Sequence, residues 1–84
     1  MRFRLLLDLD VVEYMQTLPR SRRANLFAHF REIREHPAHY SDYVEHDNLG
    51  RRVDVSVLDG LAIYYWIDHA DQHVKILKLV VADT

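Results

Sequence analysis

The stretch RRVDVSVLDGLAIYYWID, residues 51–68, decides the fold of this chain. Both of its halves are rich in β-branched and aromatic residues, which favour strands. Asp59-Gly60 stands between them, and this dipeptide is typical of two-residue hairpin turns because a type I′ turn needs positive φ at both central positions. The stretch therefore predicts two antiparallel strands joined by a tight turn.

Side chains on a strand alternate between two faces, so each half of this hairpin has a face for the core. On the first strand, Val53, Val55 and Val57 share one face, with Asp54 and Ser56 on the other. We expect the valines to lie on the core side of the sheet. The second strand has large apolar groups on both faces. We expect its core face, shared with the valines, to consist of Leu61, Ile63, Tyr65 and Ile67. The other face then consists of Ala62, Tyr64, Trp66 and Asp68.

One strand and two helices are predicted before the hairpin. The segment RFRLLLD, residues 2–8, alternates as a strand whose inner face is Phe3, Leu5 and Leu7. Asp10 has capping-box spacing to Glu13 at the start of the first helix. The apolar positions of that helix are Val11, Met15 and Leu18.

The second helix begins near Pro19, with Ser21 as a candidate cap, and ends at His36-Pro37, because the residue before a proline avoids the helical region. Its apolar stripe consists of Leu26, Phe27, Phe30 and Ile33. We expect Phe27, Phe30 and Tyr65 to be core residues.

Residues 38–50 show no clear period and are expected to form a loop. The segment VKILKLVV, residues 74–81, is expected to be the last strand, with Leu77 and Leu79 on the core side and Ile76 and Lys78 opposite. The element order is then β-α-α-β-β-β. Because helices and strands are segregated, the fold class is α+β, with a helical hairpin on one face of an antiparallel sheet, in a single domain over residues 1–84.

The opposite face of the sheet has no further chain to cover it. We expect it to be mixed in character, with aromatic groups at its centre. Its members are Asp54, Ser56, Ala62, Tyr64, Trp66, Ile76, Lys78 and Val80.

Composition narrows the class of protein. The chain has 84 residues and no cysteine, and no apolar segment is long enough to span a membrane, so a soluble cytoplasmic protein without a membrane partner is expected. The net charge of −2 argues against a general nucleic-acid binder. Residues 1–34 nevertheless hold seven arginines against four acidic residues, which allows a local basic patch.

The order of these elements resembles the RelE/ParE toxin superfamily of bacterial type II toxin–antitoxin modules. The resemblance covers almost the whole chain and is carried by REIREHP (residues 31–37), the Arg-led strand, the Gly60 hairpin and IYYWIDHADQHVKIL (residues 63–77). It implies a toxin-like protein that an antitoxin neutralises. It also implies roles in plasmid stabilisation and inhibition of translation.

Ribonuclease members of the superfamily cut messenger RNA on the ribosome without a metal or other cofactor. The resemblance implies basic side chains on the open face of the strand before the hairpin, an Arg shortly after the hairpin glycine, and further basic, His or Tyr groups in a C-terminal tail. This chain is expected to present Asp54 and Ser56 on that strand and Ala62 after Gly60, and it ends in VVADT. The usual catalytic set is therefore not found, and enzymatic activity is left open.

Two hypotheses follow about function. In the first, the chain is a toxin-like protein that binds its target, or whose catalytic activity is lost. In the second, it is a ribosome-dependent messenger-RNA endonuclease with a substituted set of residues. The candidates for that set are Arg51, Arg52, Lys78, His69 and His73.

Tyr64 and Trp66 are the candidate partner-binding pair. Aromatic side chains can stack RNA bases, anchor a protein partner such as an antitoxin or a second copy of the chain, or simply be covered by the 38–50 loop as extra core. Arg22 and Arg23 are a second candidate, because arginines at a helix N-terminus oppose the helix dipole and gain little from local structure.

The six histidines suggest a metal only weakly. His36 and His39 flank a proline, and His69 and His73 flank a turn with Asp68 and Asp71, but nothing fixes a complete ligand set. We therefore expect no metal. A histidine acting as a general acid or base is more plausible chemically, since its pKa lies near neutrality.

Overall fold

The computed structural model describes residues 3–82, so Arg2, which the sequence assigns to the first strand, lies outside the described part. The element bounds are β1 (Arg4–Leu7), α1 (Leu9–Gln16), α2 (Arg20–Glu35), β2 (Tyr43–His46), β3 (Arg52–Leu58), β4 (Leu61–Asp68) and β5 (His73–Val81). The strands form one sheet in the order β1-β5-β4-β3-β2. The α+β class with a helical hairpin against one sheet is confirmed.

Two details of the predicted sheet were wrong. The segment expected to be a loop contains β2, which pairs antiparallel with β3 from Tyr43↔Val55 to His46↔Arg52. All four of its residues are exposed, so it lacks the apolar alternation by which strands are recognised. The sheet is also mixed rather than antiparallel, because β1 pairs with β5 in the parallel direction.

The parallel pairing of β1 follows from where its apolar side chains must go. In the register Leu5↔Val74 and Leu7↔Ile76, the inward residues of β1 lie beside the inward residues of β5. Leu5 and Leu7 are partly buried against the core, as is Phe3. The predicted inner face of the first strand is therefore confirmed.

The faces of β3 are the reverse of the expectation. The hairpin pairs Leu58 with Leu61, and this register places Asp54 opposite Tyr65 and Ser56 opposite Ile63. Asp54 and Ser56 therefore lie on the helix side of the sheet, where they are 1% and 2% exposed. The three valines of β3 lie on the other side, so the helices do not pack on the Val53/Val55/Val57 face.

The turn itself explains the reversal. Asp59 and Gly60 have φ values of 50° and 81°, as a two-residue turn of this type requires. Because only two residues lie between the strands, the pairing of every residue on β3 with β4 is fixed. Asp54 then pairs with Tyr65 and Val55 with Tyr64, so each valine lies beside an even-numbered residue of β4. A face assignment based on apolarity alone missed this constraint.

A β-bulge reverses the expectation for part of β5. Tyr64 pairs with Lys78 but Tyr65 pairs with Ile76, which leaves Leu77 as the extra residue. Ile76 is therefore fully buried in the core, whereas Leu77 lies beside Val53 and Trp66 on the opposite side. The expected positions of Ile76 and Leu77 were both wrong, while Leu79 packs against the core as predicted.

The sheet side away from the helices is called the open face here. The positions of this face on the three central strands are Val53, Val55, Val57, Ala62, Tyr64, Trp66, Lys75, Leu77, Lys78 and Val80.

The N-caps of both helices lie two residues before the predicted caps. Asp8, not Asp10, caps α1, and its Oδ1 accepts a hydrogen bond from the Asp10 backbone N–H at 3.1 Å. Helix α2 begins after Pro19 without a side-chain cap, so Ser21 lies inside the helix. The first turn of α2 therefore depends on tertiary packing more than on local capping.

The core lies between the helical hairpin and the sheet. Phe30 and Tyr65 are fully buried, as predicted, but Phe27 is 38% exposed and is not a core residue. Burial raises the pKa of the Tyr65 hydroxyl, which donates a hydrogen bond to the Pro37 carbonyl at 2.5 Å. The buried core residues are Val11, Met15, Leu26, Phe30, Ile33, Leu61, Ile63, Tyr65, Val74 and Ile76.

His29 reaches from α2 to the polar position on β3. Its Nε2 lies 2.9 Å from the Ser56 Oγ, so the buried hydroxyl has a hydrogen-bond partner. Burial is the main influence on this imidazole and lowers its pKa below 6.5, although Asp42, Glu32 and Asp59 oppose that effect. The neutral ring is therefore the form that the fold favours.

We predict that Phe30→Ala lowers the free energy of unfolding by ~3–5 kcal/mol, because it removes a fully buried ring. Phe27→Ala is the matched control on the same helix and should cost clearly less, since Phe27 is 38% exposed. Urea titration followed by circular dichroism measures both. Equal losses in the two variants would contradict this helix orientation.

We predict that the stability of the domain depends on His29 in mild acid. Because the folded-state pKa is below the unfolded value of 6.5, the unfolded chain binds the proton more readily. The contribution is fully present above pH 6.5 and is lost as pH falls through the folded-state pKa. Urea titrations across this window should show a smaller decline in His29→Gln, whereas His46→Gln, at an exposed site, should behave like the wild type.

Candidate functional site

Tyr64 and Trp66 lie on the open face, as predicted, and both are partly exposed. The Lys78 Nζ lies 4.5 Å from the centre of the Tyr64 ring, and the Arg51 Cζ lies 5.8 Å from that of Trp66. The edge of Trp66 also meets the His73 ring, with centroids 6.1 Å apart. Each aromatic ring therefore has a cation at cation–π distance, and neither is closed into the core.

A cleft lies at the end of the sheet where β3 begins and β4 ends. It has a volume of about 940 Å³, at the upper end of the range common for small-ligand sites. We call it the end cleft. Its lining residues are Phe3, His36, Pro37, Ala38, His39, Arg51, Arg52, Asp54, Trp66, Ile67 and His69.

The end cleft brings together four of the residues selected from the sequence, which are Arg51, Arg52, Trp66 and His69. The end of α2 and the turn after it also contribute His36 and His39. Sequence reasoning considered those two histidines only as metal ligands. That both line the same cleft as Arg51 and Arg52 becomes visible only in the fold.

Arg51 is held by an acidic turn. Its Nε donates to the Asp47 Oδ2 at 2.7 Å, and the Asp47 Oδ1 accepts the backbone N–H groups of Leu49 and Arg51, each at 2.9 Å. These hydrogen bonds, led by that of the Arg51 backbone, lower the pKa of Asp47. The guanidinium is thereby oriented beside Trp66 although much of it is exposed.

Arg52 is paired with a buried carboxylate. Its Nη2 lies 3.2 Å from the Asp54 Oδ1, and the same oxygen accepts the Ser41 hydroxyl at 2.7 Å. The Asp54 side chain is 2% exposed and the Arg52 side chain 65% exposed. The wall of the end cleft thus contains a buried carboxyl group bonded to an exposed arginine. This aspartate was expected on the other side of the sheet.

The remaining candidates lie elsewhere. Lys78 borders a groove of about 340 Å³ with Glu45 and Tyr64. The His73 Nε2 lies 3.6 Å from the Asp68 Oδ2. The Arg22 Nη2 donates to the carbonyl of Asp59 at 3.2 Å, at the opposite end of the β3–β4 hairpin from the end cleft. Arg23 lines a groove beside α1.

Asp68, Asp71 and His73 bring one potential metal-ligand atom each within 4.8 Å of one another. Asp68 is already engaged locally, since its Oδ1 accepts the Asp71 backbone N–H at 3.0 Å. Exposed acidic groups of this kind are common in proteins without an ion. Over residues 3–82, no helix is long and apolar enough to cross a membrane.

The fold and site define a class: a small α+β domain with a helical hairpin on one side of a mixed sheet and an aromatic, partly exposed surface on the other. This is the RelE-like toxin fold. No protein-family model and no curated protein matches the sequence. The likeness rests on solved structures.

Three solved structures carry that likeness. The archaeal RelE–RelB complex of Pyrococcus horikoshii OT3 matches with a TM-score of 0.73 and 27% identity, covering 94% of this chain and 93% of that one. The RelBE2 toxin–antitoxin complex of Mycobacterium tuberculosis matches with a TM-score of 0.80 and 15% identity, covering 94% and 96%. The intact E. coli RelBE complex matches with a TM-score of 0.75 and 15% identity, covering 98% and 99%.

Within residues 3–82, neither β3 nor the position two residues after Gly60 places a basic group on the open face, where the resemblance implies such groups for ribonucleases. On β3 the positions of this face are Val53 and Val55, which are buried, and Val57, which is exposed, and two positions after Gly60 lies Ala62, which is buried. The expectation that Asp54 and Ser56 occupy the open face was wrong, yet the residues that do occupy it are no more basic. Cations near this face come from Lys75 and Lys78 on β5 and from Arg51.

Proposed function

We propose that this chain is the toxin component of a type II toxin–antitoxin module and that a protein antitoxin holds it inactive. The observation that carries the proposal is the match to the archaeal RelE–RelB complex at 27% identity over 94% of the chain. The two further complexes with the same fold support it. Under this proposal, residues 1–84 are one domain that acts in the cytoplasm, where inhibition of translation and plasmid stabilisation take place.

The proposed mode of action is target binding rather than cleavage of RNA at the open face. A ribonuclease there needs cations to stabilise the charge that develops on the phosphate. Val53, Val55 and Ala62 supply none. On β5, Lys78 lies over the Tyr64 ring, and Lys75, opposite Trp66, is the other lysine of this face. Tyr64 and Trp66 offer instead a partly exposed aromatic pair, the side-chain type that anchors protein interfaces.

A second candidate function is ribosome-dependent cleavage of messenger RNA in the end cleft. It is favoured by one arrangement, in which Arg51, Arg52 and His69 line the same cleft as Trp66. Arginine can hold a phosphate and histidine can act as a general acid or base near neutral pH. In this mechanism no metal is required, and His73 and Lys78 have no part.

The two modes predict different results in cell-free translation. If the protein only binds its target, messenger RNA on translating ribosomes stays intact, and primer extension shows no new ends. If the end cleft is catalytic, new ends appear at the ribosomal A site. They should then fall by about 10²-fold or more in His69→Gln and strongly in Arg52→Ala, while Lys78→Ala, outside the end cleft, is the matched control.

We predict that Trp66→Ala weakens the complex with the antitoxin by ~2 kcal/mol or more while the domain stays folded. The partner to use is the small protein encoded beside this gene, titrated by calorimetry, with circular dichroism as the folding control. Val80→Ala, on the same face beside Ala62, is the control substitution. Unchanged affinity in Trp66→Ala would remove the aromatic pair from the interface, and a dimer of this chain that dissociates in the variant would identify a second copy as the occupant.

A further inference from the structure

The end cleft combines apolar surface with cationic groups. Two guanidinium groups line it where β3 begins, those of Arg51 and Arg52. Its apolar lining residues are Phe3, Pro37, Ala38, Trp66 and Ile67. Small-ligand sites are mostly apolar with a few polar groups that fix orientation, so this composition suits a ligand with one flat apolar part and one anionic part.

Trp66 offers a surface for the flat part of such a ligand. Its indole lines the end cleft and is partly exposed. The Arg51 Cζ lies 5.8 Å from the centre of the ring, farther than the ~4 Å between carbon atoms in close packing. An aromatic base can therefore stack on Trp66 while an anion attached to that base meets Arg51.

The two arginines are already oriented for an anion. The Arg51 Nε donates to the Asp47 carboxyl group, and the Arg52 Nη2 donates to that of Asp54. Among the hydrogen bonds of residues 3–82, each guanidinium uses only this one nitrogen, so its other N–H groups are available to a ligand. The planar fork of arginine matches phosphate, and a side chain that is held in advance loses less freedom on binding.

The carboxyl groups that hold the arginines lie back from the end cleft. Asp54 is the acidic member of the lining, but its side chain is 2% exposed, whereas that of Arg52 is 65% exposed. Asp47 is not among the lining residues. An anion that enters the cleft therefore meets the guanidinium groups rather than the carboxyl groups.

Three imidazoles complete the lining, those of His36, His39 and His69. The His69 ring packs edge-on against Phe3 with centroids 6.0 Å apart, and His39 packs in the same way against Tyr40 at 4.9 Å. These ring contacts hold two of the imidazoles in place. An imidazole can donate and accept hydrogen bonds, which suits the hydroxyl groups of a sugar and the edge of a base.

The imidazoles of the end cleft are not grouped as metal ligands. Within residues 3–82, the potential ligand atoms that come within 4.8 Å of one another in a group of three belong to Asp68, Asp71 and His73. None of these three residues lines the end cleft. The cleft histidines are therefore polar contacts for an organic ligand.

We propose that the end cleft is a binding site for a free nucleoside monophosphate. The base stacks on Trp66, Arg51 and Arg52 hold the phosphate, and the imidazoles contact the ribose and the edge of the base. The cleft, with a volume of about 940 Å³, has room for a ligand of this kind. The inference goes beyond the proposed function, because the site needs neither an antitoxin nor a chemical step.

The surroundings of the end cleft favour a free nucleotide over an RNA chain. Binding of single-stranded RNA relies on a cationic groove that follows the backbone over several nucleotides. Here a polyanion leaving the cleft would approach Asp47 beside Arg51, or Asp68 and Asp71 on either side of His69. The net charge of the chain, −2, also opposes a long polyanion.

Isothermal titration calorimetry of the purified chain with adenosine monophosphate (AMP) tests the site. Two fragments of the ligand are the comparison, namely adenosine, which lacks the anion, and ribose 5-phosphate, which lacks the base. If the cleft recognises both parts, AMP binds at least about tenfold more tightly than either fragment.

Two substitutions should remove different parts of this recognition. Trp66→Ala should weaken AMP binding at least about fivefold and remove the advantage of AMP over ribose 5-phosphate, because the stacking surface is lost. Arg52→Gln should weaken AMP binding at least about tenfold and remove the advantage over adenosine, because the charged donor is lost. Glutamine keeps an N–H group for the Asp54 carboxyl.

Matched controls lie outside the end cleft. Tyr64→Ala removes an aromatic ring from the same strand, and Arg22→Gln removes an arginine at the opposite end of the β3–β4 hairpin. Both variants should bind AMP like the wild type. Circular dichroism checks folding, and Arg51→Gln replaces Arg52→Gln if the latter does not fold.

Three results would overturn the nucleotide site. They are no binding of AMP at millimolar concentration, inorganic phosphate that binds as tightly as AMP, and AMP binding that Trp66→Ala and Arg52→Gln leave unchanged. A single-stranded RNA oligonucleotide that binds more tightly than AMP, and is weakened by the same substitutions, would assign the cleft to RNA and remove the free nucleotide.

The nucleotide site and the proposed function fail independently. If the protein encoded beside this gene binds the chain but AMP does not, the toxin assignment stands and the nucleotide site is wrong. If AMP binds as expected but no neighbouring gene product does, the nucleotide site stands and the toxin assignment fails.

Discussion

The register of the β3–β4 hairpin is the constraint on which the rest of the structure depends. With Asp59 and Gly60 alone in the turn, each residue of β3 has one possible partner on β4. That pairing sends Asp54 and Ser56 toward the helices and the valines away from them. Two polar side chains are thereby buried on the core side, and each needs a hydrogen-bond partner there.

The partners of these two residues organise the surrounding elements. Ser56 meets His29, which connects the middle of α2 to the sheet. Asp54 meets Ser41 and Arg52, which connects the segment after α2 to the start of β3. The end cleft forms next to this second set, so its charged wall is a consequence of the same register that fixes the core.

The sequence predicts the elements of this fold better than their orientation. The fold class and most of the core residues could be predicted from two patterns. These are the alternation in β1, β3 and β4 and the helical spacing of Val11, Met15, Leu26 and Phe30. The sides of β3 were misassigned because three valines appear more apolar than Asp54 and Ser56, although the turn length alone determines their side. The bulge at Leu77 and the exposed strand β2 have no pattern in the sequence that would reveal them. The candidate site shows the same limit, because Arg51, Arg52 and His69 could be selected by type, whereas His36, His39 and Asp54 join them only through tertiary contacts.

Trp66 is the only tryptophan in the chain, and it stands where the end cleft meets the open face. Its indole contacts the Arg51 guanidinium and the His73 ring, two groups whose position or charge affects tryptophan emission. The helices and the core beneath them contain no second indole that would mask this signal. The fluorescence of Trp66 therefore reports on binding where the end cleft meets the open face. A change in its emission without a change in far-ultraviolet circular dichroism indicates that a ligand has bound there to the native protein.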